Sequence, residues 1–150
     1  KMIEQKFNVD ALYIMVQKEM GERIVASEKT KQYGAISVKI RVIGDAKIIK
    51  QVNRKMFIPE PNVDSVILEI KINKNKFEVL DKALLNNLIN GAFQNRRKVF
   101  SSNIAQFVGK ENAKVILKTL FNNELIRGEE LSPENFVKLS NYITQNYKNS

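Results

Sequence analysis

The sequence predicts an α/β chain, and three observations carry that prediction. In the first half apolar residues alternate with polar ones, as in strands. In the second half they recur in stripes with a period of about 3.6 residues, as in helices. Between the halves lies the polar linker Asn73-Lys74-Asn75-Lys76, which predicts a boundary between an α/β unit over 1–74 and a helical unit over 75–150.

Ala11 to Gln17 is a short apolar run of the kind buried in a parallel sheet. Lys18 to Ala26 reads as a short helix with Met20, Ile24 and Val25 on one face, and Ser27 to Gln32 as a polar loop. Tyr33 to Ile43 supports two readings. Ile36, Val38, Ile40 and Val42 alternate as in a strand, whereas Tyr33, Ile36, Ile40 and Ile43 fit a helix, and the period alone leans towards strand. Ala46 to Val52 is a further strand, ending in the basic turn Asn53-Arg54-Lys55. In Phe57-Ile58-Pro59-Glu60-Pro61 two prolines remove two ladder donors, so this segment is not a central strand. Val66, Leu68, Ile70 and Ile72 alternate cleanly and give another strand.

Everything after the linker reads as helical. Phe77, Leu80, Leu84 and Leu88 form one stripe, continued by Phe93. Phe100, Ile104, Phe107 and Val108 form a second, ended by Gly109, and Val115, Ile116, Leu120 and Phe121 a third. The last helix opens with Ser132 as N-cap and Pro133 at its first position, and buries Phe136, Leu139, Ile143 and Tyr147. Standing alone, the first half would leave sheet edges and one face uncovered, so its neighbours are expected upstream. Lys1 ahead of Met2 agrees with a portion of a longer protein.

Composition narrows the chemistry. With 43% hydrophobic and 27% charged residues the chain is of ordinary globular type. Cysteine is absent, so there is no disulfide or thiolate metal site, and the lack of histidine removes the commonest metal ligand and general base. No metal is expected. No run of residues reads as a membrane span or a secretory signal, and a cytoplasmic setting is the expectation. Lys and Arg number 25 against 16 acidic residues, a net charge of +9 and a pI near 9.7. Such an excess favours polyanions, nucleic acid first and an anionic membrane surface second.

Ordered sequence blocks then point to a family. Met15-Val16-Gln17-Lys18-Glu19, Arg23, Tyr33-Gly34-Ala35-Ile36-Ser37-Val38, Phe57-Ile58-Pro59-Glu60-Pro61-Asn62-Val63-Asp64-Ser65, Phe93-Gln94-Asn95-Arg96-Arg97-Lys98 and Arg127-Gly128-Glu129-Glu130-Leu131-Ser132 resemble the small-subunit (16S) rRNA adenine N6,N6-dimethyltransferases of the kasugamycin-sensitivity type. The related antibiotic-resistance rRNA methyltransferases share the Phe-x-Pro-x-Pro loop but fit the Tyr-Gly and Arg-Arg-Lys blocks less well. The resemblance implies the C-terminal part of a Rossmann-like class I SAM-dependent methyltransferase domain followed by a small all-α domain. It also implies a helix over Tyr33 to Ile43, against the period count.

The family binds S-adenosylmethionine through a glycine-rich turn and acts through an Asn-Leu/Ile-Pro-Tyr tetrapeptide. Neither is present: the six glycines are scattered, and none of Pro59, Pro61 and Pro133 precedes a tyrosine. No cofactor-binding or catalytic residue is therefore expected in this chain, and the chain alone is expected to be inactive.

Two candidate sites remain. A target adenine must leave its stack for methylation, and Phe57 is the candidate wall of its pocket, on a loop stiffened by Pro59 and Pro61. On the residues alone, a core-capping Phe57 beside strand-breaking prolines is the competing reading. Arg96, Arg97 and Lys98, together with Arg54, Lys55 and Asn103, are the candidate RNA contacts. Three cations at a helix start oppose the macrodipole, which suggests phosphate; a merely solvated face is the alternative. For the parent protein the expected partners are small-subunit rRNA and the precursor of the 30S-type subunit. A non-enzymatic RNA-binding or ribosome-assembly module is the alternative function, and a basic domain that binds no RNA is a third.

Overall fold

In the computed structural model, which describes residues 9–148, the cleanest alternation in the sequence becomes the centre of a sheet. Strand β3 (Ser65–Ile72) turns Val66, Leu68 and Ile70 to one side, where all three are buried. Strands β1 (Ala11–Gln17) and β2 (Gly44–Val52) flank it in the order β1-β3-β2, each antiparallel to β3. Leu12, Ile14 and Val16 stand opposite Ile70, Leu68 and Val66, so their side chains share the buried face. The β2 register slips between Ile48 and Lys50, and Ile49 is left outward.

Two helices cover the buried face. They are α1 (Lys18–Ile24), through Ile24, and α2 (Ala35–Ile43), through Ile40. A Cβ at position 21 would lie 2.2 Å from Val66 Cγ2, so the approach of α1 to β3 requires Gly21. The other face of α2 joins a second, larger core. Tyr33 and Val38 pack there with residues of α3 (Lys82–Gln94), α4 (Ser101–Val108), α5 (Lys110–Phe121) and α6 (Pro133–Tyr147). Tyr33, Phe93, Phe136 and Phe100 form a run of ring contacts through it, with successive centroids 5.5, 6.2 and 5.8 Å apart. No described helix is long and apolar enough to cross a membrane.

Four sequence expectations change. The Ala11–Gln17 run is a strand, but it pairs antiparallel, and Tyr13 and Met15 stand exposed on the open face because an edge strand here is covered on one side only. Helix α1 stops at Ile24 and leaves Met20 exposed, since Gly21 and not Met20 meets the sheet. The stripe from Phe77 does not begin a helix there, because the Asp81 carboxylate takes the Leu84 N–H at 2.9 Å and starts α3 one residue later, at Lys82. Finally, α5 buries Ala113, Ile116 and Leu117, while Val115 faces solvent. Tyr33 to Ile43 is helical from Ala35, as the resemblance implied. Ser132 caps α6, accepting the Asn135 N–H at 3.2 Å.

Asp81 also ties the chain end to α3, through Lys148 Nζ at 2.6 Å. The Leu84 N–H and then Lys148 hold its carboxyl below the usual aspartate range. A lowered carboxylate contributes stability that is complete above its unfolded pKa and is lost as pH falls through the folded value. Asp81→Ala should therefore cost about 1 kcal/mol at neutral pH, a fall of roughly 2–4 °C in Tm. The gap from wild type should close below about pH 4, as calorimetry at several pH values would show.

Candidate nucleic-acid interface

The loop that carries Phe57 is closed at its base by short-range polar contacts. Asn53 Oδ1 accepts the Lys55 N–H at 2.9 Å and opens a single 3₁₀ turn, Arg54–Met56. Asp64, at the far end of the loop, accepts the Arg54 N–H through Oδ1 at 2.9 Å and the Lys18 N–H through its carbonyl at 3.0 Å. The Arg54 guanidinium donates to the Asn62 carbonyl at 3.1 Å and pairs with Glu60 at 3.2 Å. Both ends of the loop are thus joined to each other and to the end of β1. Beyond that base Phe57 is half-buried, Pro59 and Pro61 are exposed, and Met56 and Ile58 are 77% and 100% exposed. The loop therefore presents an apolar tip on a polar base.

Beside that base lies an open cleft of about 580 Å³. Lys18, Glu19, Glu22, Arg54, Lys55 and Asp64 supply its charged lining, while Phe57, Pro59 and Pro61 stay outside it. Gln17, Lys18 and Glu19, which the sequence offers only as part of a family block, all line the cleft. Their signal is the family block itself, which spans the end of β1 and the start of α1.

Arg96, Arg97 and Lys98 do not begin a helix. They form the turn between α3 and α4, just after the C-terminal end of α3, where the helix dipole favours cations. Arg97 and Lys98 are exposed. Arg96 is engaged by protein: Nε pairs with Glu129 at 2.9 Å, Nη1 donates to the Lys31 carbonyl at 3.1 Å and Nη2 to the Thr30 carbonyl at 3.3 Å. Its guanidinium also lies 6.0 Å from the Phe93 ring centroid. Asn103 is half-buried on α4, and its side-chain amide donates to the Gly91 carbonyl of α3 at 3.0 Å. The turn is closed from its other side by the bridge between Val99 and Arg127. Arg54 and Lys55 thus stand at the sheet end, and Arg96 to Lys98 against the loop between α1 and α2.

The residues present do not fit a methyl-donor turn. Gly21 packs on Val66, Gly44 on the backbone of Lys71, Gly91 beside Asn103 and Gly128 on Ala92, while Gly34 opens α2 and Gly109 separates α4 from α5. Among the described residues, no group of three or more carboxylate, histidine or cysteine side chains could hold a metal ion.

Because Asp64 closes the loop base, Asp64→Ala should loosen the loop more than it loosens the fold. Exchange of the Arg54 and Lys55 amides and proteolysis across 55–62 should accelerate several-fold, with Tm falling by no more than a few degrees, since the lost hydrogen bond contributes about 1–2 kcal/mol.

Comparison with known proteins agrees with this architecture. The family model for ribosomal RNA adenine dimethylase matches residues 1–145. A ribosomal RNA small subunit methyltransferase A from Clostridioides difficile is 36% identical over 95% of the chain, and its counterpart from Lactococcus lactis is 38% identical over the same share. The chain spans about half the length of these relatives, 50% of each. A crystal structure of a dimethyladenosine transferase from Plasmodium falciparum superposes over 96% of the chain and 60% of its own, with a TM-score of 0.83 at 21% identity. The 23S rRNA methyltransferase ErmE follows more distantly, over 91% of the chain and 55% of its own, with a TM-score of 0.59 at 16% identity. By the extent of the family match and the identity of its relatives, this chain belongs to the ribosomal RNA adenine dimethylase family.

Proposed function

We propose that this chain is the substrate-facing portion of a longer Rossmann-like enzyme that transfers methyl groups from S-adenosylmethionine to N6 of two adjacent adenines in small-subunit rRNA during subunit assembly. The observation that carries the reading is the loop from Asn53 to Asp64, held at its base by Arg54 and Asp64, with the half-buried Phe57 between the exposed Met56 and Ile58. A stiff loop that carries an aromatic suits stacking against one base lifted from its helix. Phe57 supplies that face, and Pro59 and Pro61 limit the loop's freedom.

In this reading the helical unit over 75–150 docks the RNA. Arg97 and Lys98 contact phosphates from the turn after α3, and Lys55 does so from the cleft. Arg54, Arg96 and Asn103 contribute chiefly by holding the segments that carry those charges. The methyl donor and the tetrapeptide that acts on the adenine belong to the remainder of the longer protein. The test is methylation of small-subunit RNA by the longer protein with labelled S-adenosylmethionine. Dimethyladenosine is the expected product, and its absence from the digested RNA overturns the reading.

Two further outcomes follow. The 150-residue chain alone should neither methylate RNA nor bind S-adenosylmethionine tightly, and a micromolar donor site in calorimetry would contradict this. In the longer protein, Phe57→Ala should lower the methylation rate about tenfold or more, since stacking on one base is worth about 1–3 kcal/mol. RNA affinity, which sums many phosphate contacts, should change far less. Equal losses in rate and affinity would mark Phe57 as a packing residue.

A further inference from the structure

The loop between α1 and α2 (residues 25–34) is held by two contacts to the turn between α3 and α4 and by one to the 3₁₀ turn Gly128–Glu130. Arg96 donates to the Thr30 and Lys31 carbonyls, and the Lys29 N–H donates to the Glu129 carbonyl at 3.1 Å. The loop holds Lys29 at φ 66°, in the left-handed region that a lysine seldom occupies, within a turn closed by the Thr30 N–H and hydroxyl on the Ser27 carbonyl and held from outside by these contacts. Both lysine side chains are exposed.

The nearby carboxylates are turned to other work. Glu129 pairs with Arg96, Glu28 pairs with Arg41 at 3.1 Å, and Glu130 accepts the Arg127 backbone N–H at 2.7 Å. Lys29, Lys31, Arg97 and Lys98 thus face solvent from two adjoining segments, and Glu28, paired with Arg41, is the carboxylate that also feels Lys29.

We propose that Lys29 and Lys31 form, with Arg97 and Lys98, one phosphate-binding surface for the backbone of structured RNA, and that Arg96 is its positioning residue. This rests on the RNA-docking reading above and deepens it. Arg96 carries charge, but its fork is spent on two carbonyls and a carboxylate. Its contribution to binding is to fix the lysine loop beside the α3–α4 turn. Lysine cannot replace it, because an ammonium lacks the planar fork that serves all three acceptors.

The test is the salt dependence of binding by the 150-residue chain to a hairpin from small-subunit rRNA and to a plain RNA duplex. Each phosphate contact contributes roughly 0.7–0.9 to the slope of log affinity against log salt. Lys29→Asn with Lys31→Gln, the asparagine tolerating the left-handed backbone, should flatten the slope by about one to two units on both RNAs. Arg96→Lys should flatten it by a similar amount while keeping its charge, and trypsin should cut faster at Lys29 and Lys31 than in wild type. Adding the lysine pair to Arg96→Lys should bring little further loss. A wild-type slope for the lysine pair, with a flattened one for Arg97→Ala and Lys98→Ala, overturns this inference and leaves the docking reading standing. Unchanged slopes for both pairs overturn the docking reading itself. Unaltered slope and trypsin sensitivity in Arg96→Lys remove its positioning role, and if that variant fails to fold the lysine pair still decides the surface.

Discussion

A phenol taken wholly out of water must find an acceptor, and Tyr33 finds the Leu131 carbonyl at 2.8 Å, 98 residues away in sequence. Burial pushes its ionisation far above the ordinary tyrosine range, so the hydroxyl stays a donor throughout the physiological window. The bond fixes the segment before α2 against the segment before α6. Helix α2 then gives Val38 to the helical core and Ile40 to the sheet core, so one short helix belongs to both. Ser37, fully buried between them, is satisfied by accepting the Gly34 N–H and donating to the Arg23 carbonyl. With Tyr33 docked at Leu131, the loop ahead of it necessarily lies beside Glu129, and Arg96 fills the space between. The core thus brings the loop and the basic turn together, and Arg96 fixes them there.

The parts of the fold that were legible are those where one face alone is buried. β3 alternates because its two sides meet different surroundings, and α6 shows its cap because Ser132 and Pro133 act locally. Helix α2 was misread by period for the opposite reason. It is wedged between two cores, so Val38 and Ile40 are both buried on different sides and mimic the alternation of a strand. For β1 the run Ala11 to Gln17 carried no sign of its direction, because an apolar side chain does not report whether its partner strand runs parallel or antiparallel. At the candidate sites, sequence showed which cations cluster but not which were already committed. Arg96 and Arg97 are neighbours in sequence with different fates, and only tertiary acceptors, at Thr30, Lys31 and Glu129, tell them apart.

The open face of the sheet shows how charge and apolar surface share one layer. Glu69 on β3 accepts a hydrogen bond from Tyr13 at 2.8 Å on one neighbouring strand and faces Lys47 at 3.3 Å on the other. Lys71 lies 3.8 Å away along its own strand. The Tyr13 hydroxyl and the two ammonium groups hold the Glu69 carboxyl below its usual range, and the carboxylate in turn raises the Tyr13 phenol. Glu69 is largely covered while its lysine partners are exposed, and pairs placed directly across the strands favour one register over its neighbours. Met15, Ile49 and Ile67 lie on the same side, so charge sets the register of a face that is otherwise substantially apolar.

The two basic segments share one construction. In each, an arginine comes first and spends its planar fork inside the protein, Arg54 on the Asn62 carbonyl and Glu60, Arg96 on two loop carbonyls and Glu129. In each, the next residues, Lys55 or Arg97 and Lys98, remain exposed. The order matters physically. An arginine held by backbone carbonyls fixes the turn, because those acceptors cannot move without moving the chain. A cation one residue further on inherits that fixed backbone while keeping a solvated head. Neutralising the paired carboxylate, Glu60 or Glu129, would therefore act on the neighbouring cation through the geometry of the turn as well as by removing a nearby negative charge. Charge counting on the sequence cannot separate these two kinds of basic residue; the hydrogen-bond partners of the first one do.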